Sequence, residues 1–333
     1  MNDDGYRLCA HRDLGDMARQ LTDLSRRVFG RYDGVLVPSE AHRLWYARRP
    51  GMDGMLSTAV VRDGQVVAGA FVTVADVRLG GTLRRTGIID TVMTHPDHRR
   101  RGLARRVLEA AVDGMRARGL EAGLLYTVID SMPYRLYESL GFRGHTPVCY
   151  MRRIQPIATG RDLPVARRAD AADALRLRAF MDAHFGGHDG YLPMDEALWR
   201  WRKLNRPPEL PAQVWYLETG GRVCGCVTLC PAPVVGHDEE SWVITDLALE
   251  DAGDAPAVGA LNALLDAIPA GAEVLTLCPR VERDLLRTLA MCGFEAVGED
   301  EAGMVLPLSP AVESALSTPP PRWYVAVESA IGV

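Results

Sequence analysis

The chain has 333 residues, a formal net charge of −5 and 47% hydrophobic residues, which predicts about two domains with packed cores. No basic stripe extends beyond residues 99–106, which argues against nucleic acid as the main partner. No apolar run reaches the ~20 residues that a membrane span needs, and the acidic start Met1-Asn2-Asp3-Asp4-Gly5 lacks the core of a secretion signal. The seven cysteines are odd in number and scattered. They read as small core residues in a reducing, cytoplasmic compartment. Cys224, Cys226 and Cys230 fall at even spacing on one predicted strand and have no His–Cys partner nearby, so packing is expected there rather than a metal.

In chain order, a short strand is expected near Tyr6–Ala10. A helix follows, with Asp13 as N-cap and Leu14, Met17, Leu21, Leu24 and Val28 on its apolar face. A second helix is expected over 39–48. Strands 56–62 and 66–78 form a hairpin around Asp63-Gly64, a tight-turn dipeptide. Strand 85–94 leads into a basic turn and a helix over 102–118 that stops at Gly119. Strand 122–129, helix 131–140 and strand 142–152 complete the unit, and residues 153–164 read as a linker.

The pattern then starts again. Asp13 and Asp16 recur as Asp170 and Asp173, and Phe29 as Phe185. The Trp45 helix recurs as one holding Trp199 and Trp201, and Ile89-Asp90 recurs as Thr245-Asp246. Gly141-Phe142 recurs as Gly293-Phe294. This predicts an internal duplication, with units at 1–153 and 154–333. A further strand is expected around Trp323–Val327.

Chemistry is concentrated in the basic turn. Arg99-x-x-Gly102-x-Ala104 stands between a strand and a helix, with Arg100, Arg101, Arg105 and Arg106 beside it. The first N–H groups of a helix have no partner inside it, and the dipole there is positive. Gly102 lets an anion approach the backbone, and Ala104 keeps that approach open. A pyrophosphate cradle is expected. In the second unit the matching positions are Ala255, Val258 and Ala260, with Glu250, Asp251 and Asp254 close by, and those acids repel phosphate.

The Arg99/Gly102/Ala104 turn resembles the coenzyme A loop of the Gcn5-related N-acetyltransferases (GNAT). Tyr137-x-x-x-Gly141-Phe142 is similar to a second segment of that family. The resemblance implies an α/β (α+β) chain of two tandem GNAT folds, each a mixed, splayed central sheet flanked by helices. It implies acetyl-coenzyme A between the fourth and fifth strands, held by Val92, Met93, Thr94, Arg99, Arg100, Arg101, Gly102, Leu103, Ala104 and Arg105. Asp130, Pro133 and Tyr134 would lie beside the pantetheine arm. Asp130 stands where the family often has Asn, and Pro133 where a small residue is usual.

The family's oxyanion donor, a backbone N–H, would fall at about Met93, and its general acid at Tyr137, with Tyr134 as a rival lacking the motif spacing. Asp90 is the first candidate for the base. It shares a strand face with Ile88 and Val92 by period two, although Asp246 repeats it in the second unit. His95, His98 and His145 are weaker candidates. The chain also resembles the enhanced-intracellular-survival acetyltransferase family without its third domain, and to a lesser degree other two-unit acetyltransferases of actinomycete secondary metabolism. In the former family the terminal carboxylate is the base, which points to Val333. The implied acceptor is a small-molecule amine, with no nucleic acid or membrane partner, and a homo-oligomer stays open. The alternatives are transfer of a longer acyl group, or one from a carrier protein, and a non-catalytic acetyl-coenzyme A binder.

Overall fold

The computed structural model describes residues 5–29, 39–153, 164–232 and 241–325. The first half contains β1 (Arg7–Ala10), α1 (Met17–Phe29), α2 (Glu40–Ala47), β2 (Thr58–Arg62), β3 (Gln65–Leu79) and β4 (Thr82–Thr94). It continues through α3 (Leu103–Ala117), β5 (Ala122–Val128), α4 (Met132–Ser139) and β6 (Arg143–Arg153). The second half contains β7 (Arg167–Arg168), α5 (Ala174–Phe185), α6 (Glu196–Trp199), β8 (Gln213–Thr219), β9 (Arg222–Ala232) and β10 (Ser241–Leu249). It ends with α7 (Ala255–Leu265), β11 (Val274–Pro279), α8 (Arg283–Met291), β12 (Glu295–Pro307) and α9 (Pro310–Ala315). Residues 154–163 of the expected linker and the terminus at Val333 lie outside the described residues.

Three local expectations differ from what is found. Asp13 does not cap α1. It closes a short 3-10 turn with His11, and Asp16, at φ 48°, bends the chain before α1 begins. The segment holding Trp199 and Trp201 is α6 followed by a π turn over Arg200–Leu204. Within Arg322–Val325 no strand forms. Trp323 makes a single parallel bridge to Asp189, and its own N–H donates to the Glu282 carboxylate at 2.9 Å rather than to a neighbouring strand.

The strands form one mixed sheet in the order β1-β2-β3-β4-β5-β12-β6-β11-β10-β9-β8-β7. Read from either end, the order runs through equivalent strands of the two halves, except that the last strands have changed places. β12 pairs antiparallel with β5, from Glu301↔Val128 to Pro307↔Ala122. β6 pairs antiparallel with β11, from Val148↔Pro279 to Arg153↔Val274. Each half therefore completes the sheet of the other.

Helix α3 covers the first half of the sheet. Leu103, Val107, Leu108, Ala111, Val112 and Met115 are all buried, as its four-residue stripe predicts, and each large aliphatic contributes about 1.5–3 kcal/mol by burial. Gly87 on β4 lets the helix come this close. A Cβ there would stand 2.5 Å from Met115 Cε. The site begins where this helix starts.

Candidate active site

β4 and β5 run parallel for only three residue pairs, Thr86–Ile88 against Ala122–Leu124. They then part, because β5 turns its edge to β12. β4 also carries a bulge. Asp90 faces Phe71 and Met93 faces Gly69, so two residues, Thr91 and Val92, oppose Ala70 alone, and Thr91 takes φ 49°.

The bulge changes two expectations. Asp90 stays on the Ile88 side, toward α2, but Val92 packs with Ile89 on the opposite face, so simple period-two alternation fails here. His95 N–H donates to Val67 O at 2.8 Å, so by alternation Met93 N–H also points toward β3. The donors on the open edge are then Val92 and Thr94, which line the cavity while Met93 sits in the core.

Beyond β4, a 3-10 turn at Pro96–His98 leads to Arg100 at φ 60° and Gly102 at φ 72°. Gly102 caps α3 with no side-chain hydrogen bond. The first intrahelical donor is Arg106, bonded to Gly102 O at 3.0 Å, so the N–H groups of Leu103, Ala104 and Arg105 point forward without an intrahelical acceptor. A Cβ on Gly102 would meet nothing within 4 Å, which leaves the space before the helix open. Arg105 is held by Ser139 at 2.7 Å and Glu109 at 3.5 Å, and Arg106 by Tyr6 O at 3.1 Å. Arg99 Nε reaches back to Thr94 O at 3.5 Å. His98 is a brace, with its Nδ1 2.9 Å from Tyr6 Oη.

A cavity of about 1760 Å³ starts at this loop, passes through the gap between β4 and β5, and reaches the second half at Val243, Leu275, Leu277 and Glu301. Val92, Thr94, Arg99–Arg105, Pro133 and Tyr137 all line it. Asp130 and Tyr134 are not among its lining residues. Asp130 forms a turn at φ 60°, and Tyr134 Oη packs 2.5 Å from where a Cβ on Gly144 would be.

Tyr137 is 6% exposed and meets Phe142 edge-on at 6.0 Å. Burial holds its phenol proton well above the ordinary tyrosine range, so it is a donor at neutral pH. Asp90 lies beside α2. Its Oδ1 accepts from Thr91 Oγ1 at 3.0 Å, and its Oδ2 is 3.8 Å from Arg49 Nη1. Burial pushes it up to about 6, against the opposing pull of Arg49, Tyr46, Thr91 and Arg43.

The repeat at Asp246 has a different environment. Arg202 Nη2 stands at 3.0 Å and Tyr324 Oη at 2.8 Å, and Lys203 Nζ bonds directly. Burial works against ionisation there, but Arg202 and Lys203 outweigh it and hold the carboxyl below its usual range. The chain's single lysine is thus a structural counter-ion. Ahead of α7, Arg222 is paired with Glu250 at 2.8 Å, and Asp254 takes the N-cap position. Among the described residues no cluster of three potential metal ligands occurs. Cys226 and Cys230 are core residues.

Sequence reasoning missed the groups that α2 and the exchanged strand add to the cavity, namely Arg43, Tyr150 and Glu301. Glu301 sits in an acidic run, Glu299-Asp300-Glu301, which reads as a solvated edge when strand exchange is not foreseen.

The fold, a mixed sheet whose parallel β4–β5 pair splays beside the open N-terminus of α3, is GNAT-like. Residues 15–144 match the family model of the acetyltransferase (GNAT) domain, so the first half carries a GNAT domain. No curated protein matches the chain. Among solved structures, a GCN5-related N-acetyltransferase from Anabaena variabilis aligns with a TM-score of 0.65 at 15% identity, over 92% of this chain and 74% of that one. An N-myristoyltransferase of Saccharomyces cerevisiae with bound myristoyl-CoA aligns with a TM-score of 0.69 at 10% identity, over 91% of this chain and 83% of that one. Both alignments run through both halves, and at these identities they describe the fold. Among the described residues no helix is long and apolar enough to cross a membrane.

Proposed function

We propose that the chain is an acetyl-coenzyme A-dependent N-acetyltransferase that moves an acetyl group directly to the amine of a small molecule. The first unit, 1–153, would hold the cofactor, and the second, 154–333, a degenerate GNAT fold, would wall the acceptor pocket. One observation carries this reading. A single cavity joins the open N-terminus of α3, through the β4–β5 gap, to the strands of the second half.

The residues present fit the cofactor. The N–H groups of Gly102–Arg105 and the charges of Arg99, Arg100 and Arg101 suit a pyrophosphate, and the space in front of Gly102 admits it. Pro133 and Tyr137 face the pantetheine side. When bound, acetyl-coenzyme A supplies an activated acyl thioester. The chain supplies the remaining elements of the chemistry. Open-edge N–H groups at Val92 and Thr94 stand where negative charge develops. Tyr137 gives a proton to the leaving sulfur. Asp90, the carboxylate on the first half's wall, takes a proton from the nitrogen.

The test is turnover of acetyl-coenzyme A with a panel of amines, read by thiol release and by the mass of the acylated amine. Thiol release without any acylated amine would reduce the reading to hydrolysis or binding. The length of the cavity also favours a second reading, in which the acyl group is longer than acetyl. Parallel assays with octanoyl- and myristoyl-coenzyme A separate the two.

A further inference from the structure

Strand exchange places a group in the cavity that the functional reading does not use. Glu301 is paired on both sides, facing Val128 of β5 and Val148 of β6. Just before it β12 bulges. Val297 faces Tyr150 and Glu301 faces Val148, so four steps on one strand match two on the other, with Gly298 at φ 69°. The residue is 7% exposed and lines the cavity. Its Oε1 accepts from the Tyr150 hydroxyl at 2.8 Å, and its Oε2 has no hydrogen-bond partner.

A bare carboxylate oxygen inside a protein is unfavourable unless something completes it. The groups around it do not. Arg152, two residues along from Tyr150 on β6, is directed at Glu273, just before β11, at 3.8 Å. Arg280 is held by Asp300, at 2.6 and 2.7 Å. Glu299 lines the cavity from Glu301's own strand and adds like charge; Arg43 of α2 and Asp90 of β4 line the same cavity. Arg43 and Asp90 influence one another.

We propose that Glu301 is the acceptor-binding carboxylate of the site, receiving the substrate's ammonium group on its open oxygen and taking its first proton. This rests on the N-acetyltransferase reading and names the substrate class: amines that are cationic at neutral pH, with an apolar body lying against Val243, Leu275 and Leu277. An ammonium nitrogen must lose one proton before it has a lone pair and another as an amide forms. The first step is R–NH3⁺ plus the Glu301 carboxylate giving R–NH2 plus the carboxylic acid, and the proton later returns to water. Asp90, already engaged by Arg49 and Thr91, is left for the second. Burial raises Glu301 to about 7, and the Tyr150 hydrogen bond opposes that rise, so its affinity for a proton matches the task.

The test compares the unaltered chain with Glu301→Gln and Tyr150→Phe, using phenethylamine, tyramine and n-octylamine as acceptors. Thermal melts check the fold, and calorimetry measures coenzyme A binding and, with coenzyme A present, amine binding. In Glu301→Gln we expect KM for the amine to rise at least tenfold, calorimetric amine binding to weaken in parallel, and the kcat/KM limb near pH 7 to disappear. Coenzyme A affinity should hold. In Tyr150→Phe the limb should move to higher pH. An unchanged amine KM and an unchanged limb in Glu301→Gln would overturn the assignment while leaving the acetyltransferase reading intact. Failure of the unaltered chain to bind or acylate any of the three amines, with coenzyme A still bound, would overturn both.

Discussion

Trp45 and Trp201, 156 residues apart in sequence, stack face to face with ring centroids 4.2 Å apart and planes within 5°. Each indole N–H donates to the other's backbone carbonyl, at 3.1 and 2.9 Å. The contact is reciprocal, so a pseudo-two-fold axis passes between the rings. The same symmetry relates the exchanged strands β12 and β6. The halves are therefore locked together at two places, by helix-borne tryptophans and by the sheet.

Trp201→Phe keeps a ring but removes one donor, leaving the Trp45 carbonyl with the Arg48 N–H alone, at 3.1 Å. A loss of about 0.5–1.5 kcal/mol is expected, and about 3–5 kcal/mol for Trp201→Ala, which also opens a cavity. Urea unfolding should show one transition in both variants, with a non-additive effect when Trp45→Phe is added. Two separate transitions would mean that the halves do not unfold as one unit.

Trp45 and Trp201 were matched in the sequence, within a set of residues recurring at a spacing near 156 until the last pair. The open helix start at Gly102 was also visible, because a glycine at φ 72° acts through local backbone geometry. Strand exchange was not, since β6 and β12 have ordinary strand patterns that fit either half, and pairing choice is non-local. That hid Glu301. The bulge at Thr91 was also hidden, because a residue with a β-branched side chain and φ 49° leaves no local signal, and it moved the open-edge donors from Met93 to its neighbours.

Gly102→Glu should abolish coenzyme A binding by adding like charge where phosphate approaches. Its Cβ meets no neighbour, so the fold should survive, with about 1–2 kcal/mol of strain from the positive φ. Gly102→Ala carries the strain without the charge and should retain most of the affinity. Calorimetry of both variants separates the effects. Equal losses in the two would show that backbone conformation, not charge, governs the site.

Tyr137→Phe should lower turnover by about 10²-fold or more with cofactor affinity unchanged, as loss of a general acid does. The buried phenol keeps its proton throughout the assay range, so no basic limb from this residue should appear below pH 10. Rapid-quench kinetics that isolate acyl transfer would make the comparison. An unchanged chemical rate would leave Tyr137 as packing against Phe142.

Asp90 and Asp246 occupy equivalent positions with opposite electrostatics, and their Asn variants should diverge. Asp246→Asn leaves Arg202 and Lys203 buried without their counter-charge, which is expected to remove about 3–5 kcal/mol. Asp90→Asn takes away a carboxyl whose ionisation the fold resists, and should keep the protein folded while lowering turnover. Denaturant melts at pH 7.5 read the first effect and steady-state assays the second. Equal destabilisation would mean that Asp90, like Asp246, serves the fold.

Glu301 gives a pH signature of its own. Its folded pKa of about 7 lies above the ordinary glutamate value of 4.5, so the folded state binds the proton more tightly. The stabilising contribution of the protonated form is fully present below about pH 4.5 and is lost as pH rises through 7. A shift of that size corresponds to roughly 3 kcal/mol between the two limits. Glu301→Gln should therefore be more stable than the unaltered chain at pH 8 and nearly equal to it at pH 5, because Gln keeps an oxygen for the Tyr150 hydroxyl and never ionises. Asp90, raised to about 6, adds a slope of the same sign over a lower range in both chains, and it cancels in their difference. A stability difference between Glu301→Gln and the unaltered chain that stays constant from pH 5 to 8 would show that Glu301 titrates as an ordinary solvated carboxylate. Its open oxygen would then already be satisfied by water rather than kept for an ammonium group.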